Sequence, residues 1–252
     1  MKSVLITGAA RRVGRGMALG FAQHGWHVFA HYNTSADDAR ALADDVSGLG
    51  GTVTLVQADL NQPQAARALV QECGAAGPLD CVINNASVFR YDFPGDHNEG
   101  IWRDALNVNL HAPVIIAEEY FKHAQAHAVK GCVINMLDNK VFALNPDYFS
   151  YTVAKAGLLA ATKMLAQGFA PLVRVCGIAP GITLISGDQS AKNFAASHAI
   201  NPLNTGCSVD DIVRGALFIA DGAYGTGQVL TIDGGQTLLN LPRDVAYLEG
   251  SP

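Results

Sequence analysis

Seven short apolar runs, separated by stretches of helical length, constrain the fold more than any other feature of this chain. The runs lie at 3–7 (SVLIT), 27–31 (HVFAH), 53–57 (TVTLV), 80–84 (DCVIN), 131–136 (GCVINM), 173–178 (VRVCGI) and 228–232 (QVLTI). Most lack the polar alternation of a half-exposed strand, so burial on both faces is expected. Helices are expected near 13–24, 36–48, 63–76, 98–127, 150–170 and 209–221, with starts at Thr34 or Ser35, at Asn61 and at Ser208. Strands alternating with helices require right-handed crossovers and a parallel sheet covered on both sides. The expected fold class is therefore α/β: a Rossmann-like, doubly wound, seven-stranded parallel sheet.

A chain of 252 residues, 49% of them apolar, can bury one large α/β core or two small ones. Repeats, low-complexity tracts and Pro/Gly/Ser linkers are absent from it, so a single domain over 1–252 is expected. Residues 181–207 form a long connection with only a weak helical signal, which reads as a substrate loop or lid. The tail, 240–252, is longer than closing a sheet needs and can pack on its own subunit. With 17 Lys and Arg against 22 Asp and Glu the formal charge is −5, which argues against a nucleic-acid or anionic-membrane surface and for a small-molecule substrate. A strand-like run begins by residue 3, leaving no room for a secretory signal, and charges interrupt each later apolar segment before the roughly 20 residues of a membrane span. A cytoplasmic location is expected. The five cysteines are odd in number and include no C-x-x-C, so neither a disulfide framework nor a zinc ribbon is indicated. His123 and His127 have a spacing that can hold a metal, but no third ligand accompanies them and no metal site is expected.

Ligands of doubly wound sheets bind at the carboxyl ends of the strands, beside the topological switch point. The first such end reads TGAARRVGRG, from Thr7 to Gly16, and its glycines do not have the G-x-G-x-x-G spacing. Gly8 and Gly14 still supply small positions, leaving backbone N–H groups around Val13 and a positive helix end for a pyrophosphate. The second strand ends in His31-Tyr32-Asn33-Thr34-Ser35, with no acid before Asp37. An NAD site normally places an acid there to accept the ribose hydroxyl, so NADP (NADPH) is the expected cofactor. Arg11 and Arg12, with Asn33, Thr34 and Ser35, would meet its 2′-phosphate. Asp59 and Leu60, Asn84 to Phe89, Met136 to Asp138 and Pro180 to Thr183 mark the other strand ends. Tyr151 and Lys155 stand four apart and share one helix face. That pattern is weak alone, but a lysine charge within ~4–6 Å of a phenol favours its ionised form.

Taken in order, the TGxxxRxG turn, Asp59, NNAS at 84–87, Asn109, Tyr151 with Lys155, and Pro180-Gly181 resemble the short-chain dehydrogenase/reductase superfamily over essentially the whole chain. The resemblance implies that Tyr151 donates or accepts the proton, that Lys155 binds the nicotinamide ribose and lowers the tyrosine pKa, and that Asn109 supports a proton-relay water. It places Asp59 on the adenine, Asn85, Ala86 and Ser87 beside the ribose and nicotinamide, and Pro180, Gly181 and Thr183 around the carboxamide. Leu60 and Met136 complete the cofactor set. A homotetramer is also implied.

The superfamily normally carries a serine after its fifth strand, and here the position reads Met136-Leu137-Asp138. Asp138, GAARRVG, HYNTS and NNASVF resemble the pteridine reductase branch, although that branch often has an arginine at the place of Thr34. By this resemblance a pterin stacks between the nicotinamide and Phe89, with Arg12, Ser87, Asp138 and Tyr151 as its other contacts. The implied reaction is NADPH-dependent reduction of a dihydropterin such as dihydrobiopterin or dihydromonapterin. A carbonyl or 3-ketoacyl reductase is the alternative, and a non-catalytic dinucleotide-binding protein a third. The residues alone leave other uses open: Phe89 as core packing, Asp138 as a helix cap, and Asn85 as a tie between strands.

Overall fold

The computed structural model describes residues 1–186, 189–222 and 225–248. Residues 187–188 of the expected loop and 249–252 of the tail therefore lie outside the described residues.

The seven expected strands form one parallel sheet: β1 (Ser3–Ile6), β2 (His27–Tyr32), β3 (Thr52–Gln57), β4 (Cys81–Asn84), β5 (Gly131–Met136), β6 (Val173–Pro180) and β7 (Val229–Ile232). Their order is β3-β2-β1-β4-β5-β6-β7, which puts the switch point between β1 and β4. Every residue of β1, β4 and β5 is buried, whereas β3, at the sheet edge, alternates in exposure. This is the physical reason the central runs read as continuous apolar sequence.

Side chains alternate across the sheet and feed two layers. Val4 and Ile6 join Met17 and Phe21 of α1 (Arg12–Gln23) and Ile212 of α8 (Val209–Asp221). Leu5, between them, joins Leu69 of α3 (Pro63–Ala75) and Ile116 and Tyr120 of α5 (Ala112–His127) on the other side. Each such side chain contributes about 1.5–3 kcal/mol by leaving water. Helix α1 also approaches α8 closely, since a Cβ on Gly16 would lie 2.2 Å from Val209 Cγ1 and one on Gly20 2.3 Å from Val213 Cγ1.

Three local expectations need adjustment. Ser208 caps α8 through a reciprocal capping box with Asp211, as its position suggests. Asn61, however, does not cap α3: the cap position is Gln62, and the Asn61 side chain bonds Asp104 and Asn107 instead. Ser35 stands at the cap of α2 (Ala36–Gly48) without a side-chain cap bond. The helix expected over 98–127 is divided into α4 (Glu99–Leu106), a π-helical turn at Asn107–His111, and α5. The weak helical signal in the long connection becomes α7 (Ala191–His198), while α6 (Phe149–Phe169) is the longest helix described.

All five cysteines are buried free thiols. His123 accepts the Leu79 N–H and His127 bonds the His123 carbonyl, so both rings serve the fold. Among the described residues no cluster of His, Cys, Asp or Glu could hold a metal, and no helix is long and apolar enough to cross a membrane.

Candidate active site

The carboxyl ends of the strands open into a cavity of about 1190 Å³, and every candidate residue except Asn109 lines it. The β1 turn is built for close approach. Gly8 has φ +64°, and its N–H donates to His31 Nδ1 at 3.0 Å, while a Cβ on Gly14 would sit 2.1 Å from the Gly8 carbonyl oxygen. Helix α1 begins there without a side-chain cap and without an acid in its first turn. Its leading N–H groups and positive dipole end therefore suit a pyrophosphate, and a dinucleotide fits the residues present. Asn85 Nδ2 donates to the Thr7 carbonyl at 2.9 Å, and Thr7 Oγ1 accepts the N–H groups of Asn85 and Ala86. The strand-tying use of Asn85 is thus realised at the edge of the cavity.

Arg12 occupies a left-handed conformation, φ +54°, that a glycine takes more cheaply, by about 1–2 kcal/mol. Its Nη1 donates to the Ile185 carbonyl at 2.7 Å, tying the glycine turn to the long connection, a use the sequence did not foretell. Arg11 points toward the end of β2, where it bonds Ser35 and pairs with Asp38 at 2.7 Å. Asn33 and Thr34 line the same end of the cavity, with Asp59 and Leu60 from the turn after β3. On the opposite side, Pro180, Gly181 and Thr183 follow β6, and the Thr183 hydroxyl donates to the Gly181 carbonyl.

At the centre, the Tyr151 hydroxyl on α6 donates to Asp138 Oδ2 at 2.7 Å. The other carboxyl oxygen of Asp138 accepts the Lys140 N–H at 2.9 Å and caps a short 3₁₀ turn, Asn139–Phe142. Asp138 is therefore a cap and a partner of the tyrosine at once. Burial pushes the Asp138 pKa up, against the Lys140 and Tyr151 hydrogen bonds. Burial first, and then the facing carboxylate, push Tyr151 well above the usual phenol value. Lys155, brought down to about 8 by burial, donates to the Met136 carbonyl at 2.5 Å, with Nζ 5.7 Å from the Tyr151 ring centre. In this arrangement the causes acting on Tyr151 are burial first and then the Asp138 carboxylate, both of which favour its protonated form.

Asn109 is fully buried in the π turn and does not reach the cavity. Its Oδ1 accepts the Val88 N–H and its Nδ2 donates to the Val88 carbonyl, both at 2.9 Å. The side chain holds the 85–89 segment.

Phe89 is 42% exposed, which removes the core-packing reading. It stacks on Tyr148 with ring centres 4.0 Å apart and meets Tyr151 edge-on, while Ser87 lines the cavity beside it. Sequence reasoning missed Tyr148, Lys140 and the inner wall formed by the tail. Arg243 grips the fully buried Asp147 with two bonds, at 2.7 and 2.8 Å, and Tyr247 reaches the Tyr148 hydroxyl. These partners lie about a hundred positions apart, where no periodicity or motif signals them.

The short chain dehydrogenase family model matches residues 2–194. The chain belongs to that family and is an oxidoreductase of its class. Two solved structures share this architecture closely: FolM Alternative dihydrofolate reductase 1 from Brucella canis, complexed with NADP, is 37% identical with a TM-score of 0.87 over 94% of each chain. The Brucella suis protein of the same description, also in complex with NADP, is 36% identical with a TM-score of 0.88, over 94% of this chain and 95% of that one. A 3-oxoacyl-[acyl-carrier-protein] reductase from Chlamydia pneumoniae is 28% identical over 94% of this chain and 97% of its own.

Proposed function

We propose that this protein is an NADPH-dependent pteridine reductase acting on a dihydropterin. The observation that carries the reading is the Tyr151–Asp138 hydrogen bond facing an exposed Phe89 inside the dinucleotide cavity. A flat heteroaromatic ring suits the aromatic face of Phe89, stacking being worth about 0.5–1.5 kcal/mol beyond area burial. NADPH, when bound, supplies the hydride, and the chain's residues supply position and proton. Arg11, Ser35 and the open α1 terminus would hold its phosphates. Tyr151 gives a proton to the reduced ring, and Asp138, whose pKa burial raises toward the protonated form, replenishes the hydroxyl at 2.7 Å.

Similarity to structures described as alternative dihydrofolate reductase bound to NADP supports the same cofactor and substrate class. A second reading, 3-ketoacyl or other carbonyl reduction, draws on the 28% identical acyl-carrier-protein reductase. Following NADPH oxidation with dihydrobiopterin, dihydromonapterin, dihydrofolate and a ketoacyl thioester tests both. Turnover confined to the thioester would overturn the pterin reading, and turnover with none would favour a non-catalytic dinucleotide-binding protein. A single domain, a cytoplasmic location and a homotetramer belong to the same proposal. Sedimentation as a monomer would remove the last.

A further inference from the structure

We propose that Asp244 in the tail and Lys140 form a neutralising ion pair that lets Asp138 hold a proton against Tyr151, so that the C-terminal segment is a working part of the proton-transfer apparatus. The inference rests on the role given to Asp138 above, and both residues act as positioning residues through it.

Lys140 is only 7% exposed, and Asp244 Oδ2 lies 2.9 Å from its ammonium. A buried ammonium without a counter-ion is strongly disfavoured, so this side chain needs a fixed anion. Asp138 is two residues away and already receives the Lys140 backbone N–H. Left alone, the Lys140 charge would favour the carboxylate form of Asp138. Such a group accepts the Tyr151 hydrogen bond but has no proton to return. Asp244 cancels that charge from the far side.

Its placement is over-determined. Asp244 Oδ1 accepts the Ala246 N–H at 3.1 Å, and its own N–H donates to Asp147 Oδ2 at 2.8 Å. Asp147 is in turn held by Arg243. The tail is thus pinned so that one carboxyl oxygen faces Lys140. The groups acting on Asp138 are Tyr151 and Lys155 from α6, Lys140 from its own turn and Asp244 from the tail. Asp147 and Arg243, paired with each other, stand behind Asp244. Burial raises Asp138 most, and of the charges acting on it Lys140 lowers and Asp244 raises its pKa, so the ion pair tunes its proton occupancy.

The test is an infrared pH titration of the full chain, following the carboxylic C=O band that Asp138→Asn removes. The isosteric Asp244→Asn keeps the Ala246 contact but frees the Lys140 charge, and the Asp138 midpoint is expected to move down. Lys140→Met leaves Asp244 unpaired, and the midpoint is expected to move up. The double variant should return near the parent value. NADPH binding monitors folding in each variant. Shifts in one direction for both single variants, no shift, or a double variant that keeps a single variant's shift would overturn the proposal. If the midpoints behave as expected while no pterin is reduced, the ion-pair inference stands and the pterin reading fails.

Discussion

Tyr151 and Asp138 are joined by a hydrogen bond of 2.7 Å, although thirteen positions and a short 3₁₀ turn separate them in the chain. The carboxyl stands at the end of β5, one turn before α6 brings the phenol back over the sheet. Burial raises the pKa of both groups, which favours their protonated forms.

Replacing Tyr151 with Phe removes the donor and little else. Turnover should fall by about 10²–10⁴-fold while NADPH still binds. Steady-state rates set beside NADPH fluorescence titration check this, and near-normal turnover would exclude the hydroxyl as proton source.

Asp138→Ser separates the two substrate classes. Pterin reduction should drop by at least about tenfold, while reduction of a simple ketone persists, because a hydroxyl polarises a carbonyl but does not replenish Tyr151 with a proton. Parallel kcat/KM measurements decide the matter; undiminished pterin reduction would end the special role of the carboxylate.

Arg11 pairs with Asp38 and bonds Ser35 at the end of β2. Arg11→Ala is expected to weaken NADPH binding about tenfold or more and to leave NADH nearly unchanged, since a guanidinium to phosphate bond is worth about 1.5–3 kcal/mol. Asp38→Asn should act in the opposite direction by freeing the guanidinium. Dissociation constants for the two cofactors read both effects directly.

His31 sets an acid limit on the cofactor turn. Its Nδ1 accepts the Gly8 N–H and its Nε2 bonds the Ala58 carbonyl, each at 3.0 Å, so the ring must be neutral. Burial lowers its pKa below the ordinary 6.5. A base depressed in the folded state contributes stability that is complete above its unfolded pKa and is lost as pH falls through the folded value. Unfolding midpoints and NADPH affinity should therefore decline on the acid side of about pH 6.5. His31→Asn keeps an acceptor without a titrating ring and should flatten that decline. An unchanged acid limb in the variant would assign the effect elsewhere.

Arg243→Ala leaves Asp147, fully buried, without its cation. The tail should loosen, KM for the pterin should rise, and protease should cut near 240–248 sooner than in the parent. Equal digestion rates would show that the tail is held by other contacts.

By itself the sequence determined the sheet, the strand ends and the Tyr151–Lys155 pair on one helix face. Continuous apolar runs such as Val4-Leu5-Ile6 suit a strand covered on both faces, and four-residue spacing aligns side chains on any helix. Those signals are local, so they are readable without the fold. It also placed Asp138 at the site and left a cap as its rival use, while in the structure one oxygen caps the turn and the other accepts the Tyr151 hydroxyl. Only the tertiary structure decided the direction of the Tyr151 shift, because desolvation depends on what surrounds a group and not on its neighbours in the chain. The same holds for Asn109 turning to Val88, for His31 bracketing the glycine turn, and for Asp244 meeting Lys140 across 104 positions. Long-range pairs of charged side chains carry no period and no motif. They exist once the sheet has brought the tail back over the strand ends.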